Sequence, residues 1–215
     1  MHLISHRGLD NHEFSENSLK AILNVLDKDY IDGVEIDVRI TKDKEIILIH
    51  DPIIDLVSDG VGIVKYMTLK DLQKYKYGKS KESITTLDQV LSIDTNKIIL
   101  IELKELGNDY INLVDETIKI INKYNLNTYI SSFNYNLLNY IKSTYKNIKC
   151  GLIIGYGLNA LYLKNQFDFN IISSYYHSKV DNKKLTFIFN INKKYSSNSN
   201  DQYLISDNSY KCNKM

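Results

Sequence analysis

Apolar residues recur along the chain in short blocks that alternate between two periods. HLIS at 2–5, VEIDVRI at 34–40 and KIILIEL at 97–103 are strand-like runs dense in Ile, Leu and Val. Between them, residues 16–28 place Leu19, Ile22, Leu23 and Leu26 at helical spacing, and residues 109–124 place Ile111, Val114, Ile118 and Ile121 on one stripe. A turn-like TKDKE separates the strand at 34–40 from a second arm at 46–50, which predicts a hairpin. The stretch 51–85 is irregular, with Gly60, Gly62 and Gly78 and room for one short helix at 68–75. Beyond it the alternation resumes. A short helix at 86–92 precedes the strand at 97–103, and strands near 128–132, 148–154 and 170–174 are separated by helices at 134–146 and 158–167. Two last strands are expected at 185–191 and 203–206.

With the hairpin arm set aside, these are eight strands in βα order, which predicts an α/β protein of the (β/α)8 TIM-barrel class. The unbroken apolar run at 97–103 fits a parallel strand covered on both faces. NKKYSSNSNDQ at 192–202 is too short and too polar for an outer helix, so the seventh helix is expected to be reduced. The expected organisation is one domain over 1–215, with 51–85 as a small insertion subdomain after the second strand.

Composition narrows the class. A chain of 215 residues can bury a substantial single core, and 43 % hydrophobic residues exclude a wholly disordered chain. The net charge of +1 gives no basis for nucleic acid or anionic membrane as a partner. Cys150 and Cys212 match no zinc spacing and no disulfide framework. MHLISHRG has neither a basic leader nor a long apolar segment, and no stretch approaches the ~20 apolar residues of a bilayer span. These features predict a cytoplasmic protein with no stable membrane insertion; they leave the oligomeric state open.

The candidate chemistry lies at strand ends. Glu35 and Asp37 alternate with Val34, Ile36 and Val38, so both carboxylates share one strand face. Two buried carboxylates on one face repel and lose hydration unless a cation joins them. Glu102 and Lys104 continue the face of Ile98 and Leu100, and His6 and His50 end their own apolar runs. In a (β/α)8 barrel these clusters converge at the C-terminal mouth, where active sites form. Arg7 after His6 offers a planar, permanently charged fork suited to phosphate, and Gly8 allows close backbone approach. His2, His12 and His177 lack such context and are expected to be structural or exposed.

HRG at 6–8, ENS at 16–18, EIDV at 35–38, TKD at 41–43, HDP at 50–52 and ELK at 102–104 together resemble the glycerophosphodiester phosphodiesterase family. The order and spacing fit over roughly the first half of the chain. SSF at 131–133, FNIN at 189–192 and ISD at 205–207 fit more loosely. The chain departs from the family pattern in four places. Ser15 stands where the family usually has Pro, and 53–60 lacks the usual Arg. Phe189 replaces a late Trp, and Asn208 and Ser209 follow the closing Asp without the usual Pro.

The resemblance implies a barrel with a small inserted subdomain that cleaves a glycerophosphodiester into glycerol 3-phosphate and an alcohol. Glu35, Asp37 and Glu102 would hold one divalent cation, and an all-oxygen set favours Mg²⁺ or Ca²⁺ over zinc. Arg7 and Lys104 would bind phosphoryl oxygens, and His6 and His50 would form an acid–base pair. Phe189 would line the substrate pocket. Glu16 and Asn17 would hold the loop after HRG or cap the helix that follows it. A related phospholipase D-like activity on lysolipids or sphingomyelin, and a catalytically inactive phosphodiester-binding barrel, are the competing readings.

Overall fold

In a computed structural model of the chain, residues 2–10, 13–105, 107–154, 166–173, 186–189 and 202–209 are described. Nine strands form one sheet: β1 His2–His6, β2 Gly33–Ile40, β3 Ile46–Leu48, β4 Ile98–Leu103, β5 Thr128–Ser132, β6 Cys150–Ile154, β7 Phe169–Ser173, β8 Thr186–Phe189 and β9 Gln202–Ser206. Eight run parallel in the order β1-β9-β8-β7-β6-β5-β4-β2, and a β1–β2 pairing closes the ring. The chain is therefore a (β/α)8 barrel, with helices α1 Leu19–Leu26, α2 Leu69–Leu72, α3 Leu87–Leu91, α4 Ile111–Ile121 and α5 Tyr135–Thr144. β3 is the exception: it pairs antiparallel with the far end of β2, Val38 opposite Leu48, as the hairpin pattern predicted. It stops at Leu48, so His50 lies in the loop beyond the strand rather than on it.

Period-two alternation sorts side chains into two cores. Ile4, Ile98, Leu100, Phe169, Phe187 and Ile205 fill the barrel interior. The alternate residues, among them Val34, Ile36, Ile99 and Ile101, face outward and pack against Ile22, Val25, Leu113, Val114 and Leu137 of the helices. Gly151 makes room for the interior aromatics: a Cβ there would stand 2.3 Å from the Phe169 ring. Ile98 and Leu100 thus form the floor on which Glu102 stands, one step further along β4.

Residues 51–85 carry a short 3₁₀ turn at Val64–Tyr66 and α2. They gather Ile54, Val64, Leu72, Tyr77 and Ile84 into a separate apolar cluster over Ile47 and Ile49. This cluster anchors the segment beside the barrel mouth. The helix expected at 158–167 lies outside the described residues over 158–165, and so does the polar run over 192–201 on which the reduced seventh helix rests. The described helices are shorter than their periodic patterns by one to three residues at most ends, because apolar spacing runs on into the capping turns.

Candidate active site

Glu35, Asp37 and Glu102 come together at the C-terminal mouth of the barrel. Neighbouring parallel strands supply them in register, with Asp37 on β2 beside Glu102 on β4. One ligand oxygen from each lies within 4.8 Å of the others, and all three are buried. Burial and the Asp37 charge push the Glu35 carboxyl up to about 8. Glu102 is also raised, by burial first, with Lys104 opposing. Asp37 is fully buried yet held low, because Lys104, Arg7 and the Asn17 amide outweigh its desolvation. Glu35 Oε1 is buried without a hydrogen-bond partner. Three carboxylates, each with a buried oxygen that lacks a hydrogen bond, form a site that a divalent cation fits.

The cationic side chains close around Asp37. Lys104 Nζ lies 3.1 Å from Asp37 Oδ1 and 2.6 Å from Glu102 Oε1, and Arg7 Nε lies 3.0 Å from Asp37 Oδ2. Arg7 also donates from Nη1 to both oxygens of Glu16 at 3.1 Å, and its backbone N–H donates to Glu35 Oε2 at 3.2 Å. Arg7 and Asn17 both adopt left-handed backbone, with φ of 54° and 55°. Such conformations in non-glycine residues are retained where surrounding contacts over-determine them. Here the Asn17 side chain donates to Asp37 Oδ2 at 3.0 Å and accepts from the Asp37 N–H at 3.1 Å. Of the two roles open to Glu16 and Asn17, the helix cap falls to Ser18, whose hydroxyl accepts from the Ala21 N–H. Glu16 and Asn17 are instead spent on the loop and the site.

His6 and His50 line one cavity of ≈180 Å³ together with Glu35, Glu102, Lys104 and Arg7. His6 Nδ1 contacts Asp207 Oδ1, and its Nε2 is 3.7 Å from Glu35 Oε2. Burial works against the His6 imidazolium, but Glu35 and the Asp207 hydrogen bond outweigh it and raise its pKa. His50 Nδ1 is 2.9 Å from Asp51 Oδ1, which leaves Nε2 for the cavity. Burial is the largest influence on His50 and lowers its pKa. Arg39 fixes the loop, donating to the His50 carbonyl at 2.9 Å and to the Lys104 carbonyl at 2.6 Å. The opposite wall of the cavity is apolar: Ile153, Ile171, Ile205, Phe133 and Phe189. The cavity thus brings together His6, His50, Glu35, Glu102, Arg7, Lys104 and Phe189, with Asp37 directly beneath.

Three members of the site were not singled out from sequence. Asp51 was visible only as the second letter of HDP. Asp207 closes ISD at the end of β9, and β9 pairs with β1, so barrel closure carries it to His6 from 201 positions away. Phe133 follows β5 and remains 45 % exposed while lining the cavity. Its signal was SSF at the expected strand end. His2 lies at the opposite end of β1, stacked on Tyr203 and 3.2 Å from Asp32, and takes no part in the cavity. His12 and His177 lie outside the described residues.

Comparison with known proteins bears on this geometry. Residues 6–201 match the model of the glycerophosphoryl diester phosphodiesterase family. A glycerophosphodiester phosphodiesterase of Caldanaerobacter subterraneus subsp. tengcongensis is 34 % identical over 166 residues, which span 73 % of this chain and 68 % of the relative. In fold, the chain is similar to an Oleispira antarctica phosphodiesterase solved with the product sn-glycerol-3-phosphate. The TM-score is 0.79 at 19 % identity, covering 99 % of this chain and 94 % of that one. It is also similar to a glycerophosphodiester phosphodiesterase of Thermotoga maritima, with a TM-score of 0.70 at 21 % identity over 97 % and 95 % of the two chains. The matched residues begin at His6, on the first strand of a closed barrel whose mouth gathers the carboxylates. The chain belongs to the glycerophosphoryl diester phosphodiesterase family of enzymes.

Proposed function

We propose that the chain hydrolyses glycerophosphodiesters to glycerol 3-phosphate and an alcohol, with a divalent cation held by Glu35, Asp37 and Glu102 and with His6 and His50 as the proton-transfer pair. The observation that carries this reading is the single cavity in which both imidazoles stand over a buried carboxylate cluster with an orphaned oxygen. When bound, the cation supplies Lewis-acid neutralisation of the phosphoryl charge. Arg7 and Lys104 contribute fixed positive charge at the same edge and orient the anionic diester.

The protein's own groups account for the protons. A new O–P bond forms from the attacking oxygen as the bond to the alcohol oxygen breaks. One histidine takes the proton of the attacking oxygen and the other returns one to the departing alkoxide. Such transfers are worth about 10²–10⁴-fold when the partner is positioned. Asp207 and Asp51 supply that positioning, since each engages Nδ1 of its histidine and leaves Nε2 toward the cavity. Phe189 and the isoleucines exclude water from the far wall.

The same reading takes 1–215 as one catalytic unit in which 51–85 is an inserted subdomain that begins at Asp51, directly after His50. Release of glycerol 3-phosphate from a panel of diesters, with and without chelator, tests it. Chelator-sensitive release supports the assignment. No release from glycerophosphocholine, glycerophosphoethanolamine or glycerophosphoglycerol in saturating Mg²⁺ or Ca²⁺ would remove it.

A further inference from the structure

Ser15 stands where the family pattern has Pro, and its hydroxyl bridges two parts of the molecule. Ser15 Oγ accepts from the Lys79 N–H at 2.7 Å and from the Ser80 N–H at 3.4 Å, and lies 3.3 Å from Ser80 Oγ. Ser80 Oγ donates its one proton to Glu82 Oε1 at 2.6 Å. A hydroxyl has one proton and two acceptor positions, so the Ser15 proton goes to Ser80 Oγ. The Ser15 hydroxyl is then saturated, and every one of these partners belongs to the 51–85 segment. The approach is close: a Cβ added to Gly78 would stand 2.1 Å from Ser15 Oγ, and Gly78 has a φ of 63°. A bare, left-handed glycine is what lets this turn close over the serine.

The residues after Ser15 touch the site. Glu16 holds the Arg7 guanidinium, the Asn17 N–H donates to the Arg7 carbonyl at 2.8 Å, and the Asn17 side chain clasps Asp37. We propose that Ser15 is a positioning residue, which latches the loop carrying Glu16 and Asn17 to the 51–85 segment and thereby sets the Asp37 carboxylate. This rests on the proposed catalytic reading only in taking Asp37 as a cation ligand. Proline at this place would restrict the loop through its own φ. Serine does so through hydrogen bonds to a neighbouring segment, so the state of the 51–85 segment is transmitted to the carboxylate.

The test compares Ser15→Ala, Ser15→Thr and Thr85→Val with the unaltered full chain. Thr85 Oγ1 accepts from the Leu19 N–H at 3.0 Å, so its hydrogen bond ties the same region through α1 rather than through residues 15–17. Mg²⁺ and Ca²⁺ affinities are measured by calorimetry, alongside kcat, KM and Tm. Losing the hydrogen bonds of Ser15 should weaken cation affinity about tenfold and lower kcat more than it raises KM. Ser15→Thr, which keeps the hydroxyl, should restore both. Thr85→Val should lower Tm while leaving cation affinity within about twofold. Unchanged cation affinity in Ser15→Ala, failure of Thr to restore it, or an equal loss in Thr85→Val overturns the latch. If Ser15→Ala is not recovered folded, Ser80→Ala removes the Ser15–Ser80 hydroxyl contact while leaving the Lys79 and Ser80 N–H donors in place; a smaller drop in cation affinity is expected of it, and no drop overturns the latch. An unaltered chain that binds the cation but cleaves no diester overturns the proposed activity instead, and the affinities still decide the latch.

Discussion

At the scale of single residues, the site depends on how each charged group is oriented by another. Asp207 is the clearest case. It adds nothing to the carboxylate cluster, yet it engages His6 Nδ1 and raises the pKa of that ring together with Glu35. Asp207→Asn should lower kcat by less than the ~10²–10⁴-fold expected for His6→Ala, with cation affinity unchanged by calorimetry. A kcat equal to wild type would show that Asp207 does not position His6 for proton transfer. Phe189 tests the opposite wall. It lines the cavity and is only half-buried, so Phe189→Trp should keep Tm and lower or preserve KM. A stability loss of about 1–3 kcal/mol would mean the larger ring overpacks its surroundings. The residues legible in sequence were those with a local signature: Glu35 and Asp37 by alternation, His6 and His50 by ending apolar runs. Asp207 was not, because its role exists only through the β1–β9 pairing, and no local pattern encodes a partner 201 positions away.

At the scale of elements, parallel register does the positioning. β2 and β4 run side by side from Gly33–Ile98 to Val38–Leu103, which brings Asp37 level with Glu102. The period-two pattern announced this face correctly, since apolar Ile98 and Leu100 precede Glu102 on it. What it could not announce was the end of each element. Asn134 shows why: it caps α5 and fastens a neighbouring loop with one side chain. Its Oδ1 accepts from the Asn136 and Leu137 N–H groups, while Nδ2 donates to the carbonyls of Glu105 and Gly107. A helical stripe read from apolar spacing passes over such a residue. Asn134→Ala should destabilise the fold by about 1–3 kcal/mol, combining a lost cap with orphaned carbonyls. Asn134→Asp should recover only the cap share. Urea unfolding with an unchanged m-value would separate this from a change in the denatured state. An Asp variant as damaging as Ala would show that the loop contacts outweigh the cap.

At the scale of the whole molecule, the barrel concentrates an electrostatic penalty at its mouth that the rest of the fold must offset. In the metal-free chain Glu35 holds its proton up to about 8, well above the ordinary carboxylate range, because burial and Asp37 both disfavour its charge. The unfolded chain releases that proton near its ordinary value of about 4.3. Between those two values the folded state binds the extra proton, so stability through this group is present at low pH and is lost as pH rises toward 8. A cation at the cluster favours the ionised form and reverses the trend. With chelator, Tm should therefore decline from about pH 5 to pH 8. With Mg²⁺ or Ca²⁺ at ~100 times the dissociation constant, stability should rise by about 2.7 kcal/mol. For a chain of this size that is a Tm increase of about 5–10 °C, larger at pH 8 than at pH 5. Glu35→Gln isolates the group, since it keeps the shape and removes the charge. Its metal-free form should lose much of the pH slope, and added cation should raise its Tm far less. If the metal-free protein and the Gln variant show the same slope, Glu35 does not carry the charge conflict; if the cation raises Tm equally in both, Glu35 is not one of its ligands.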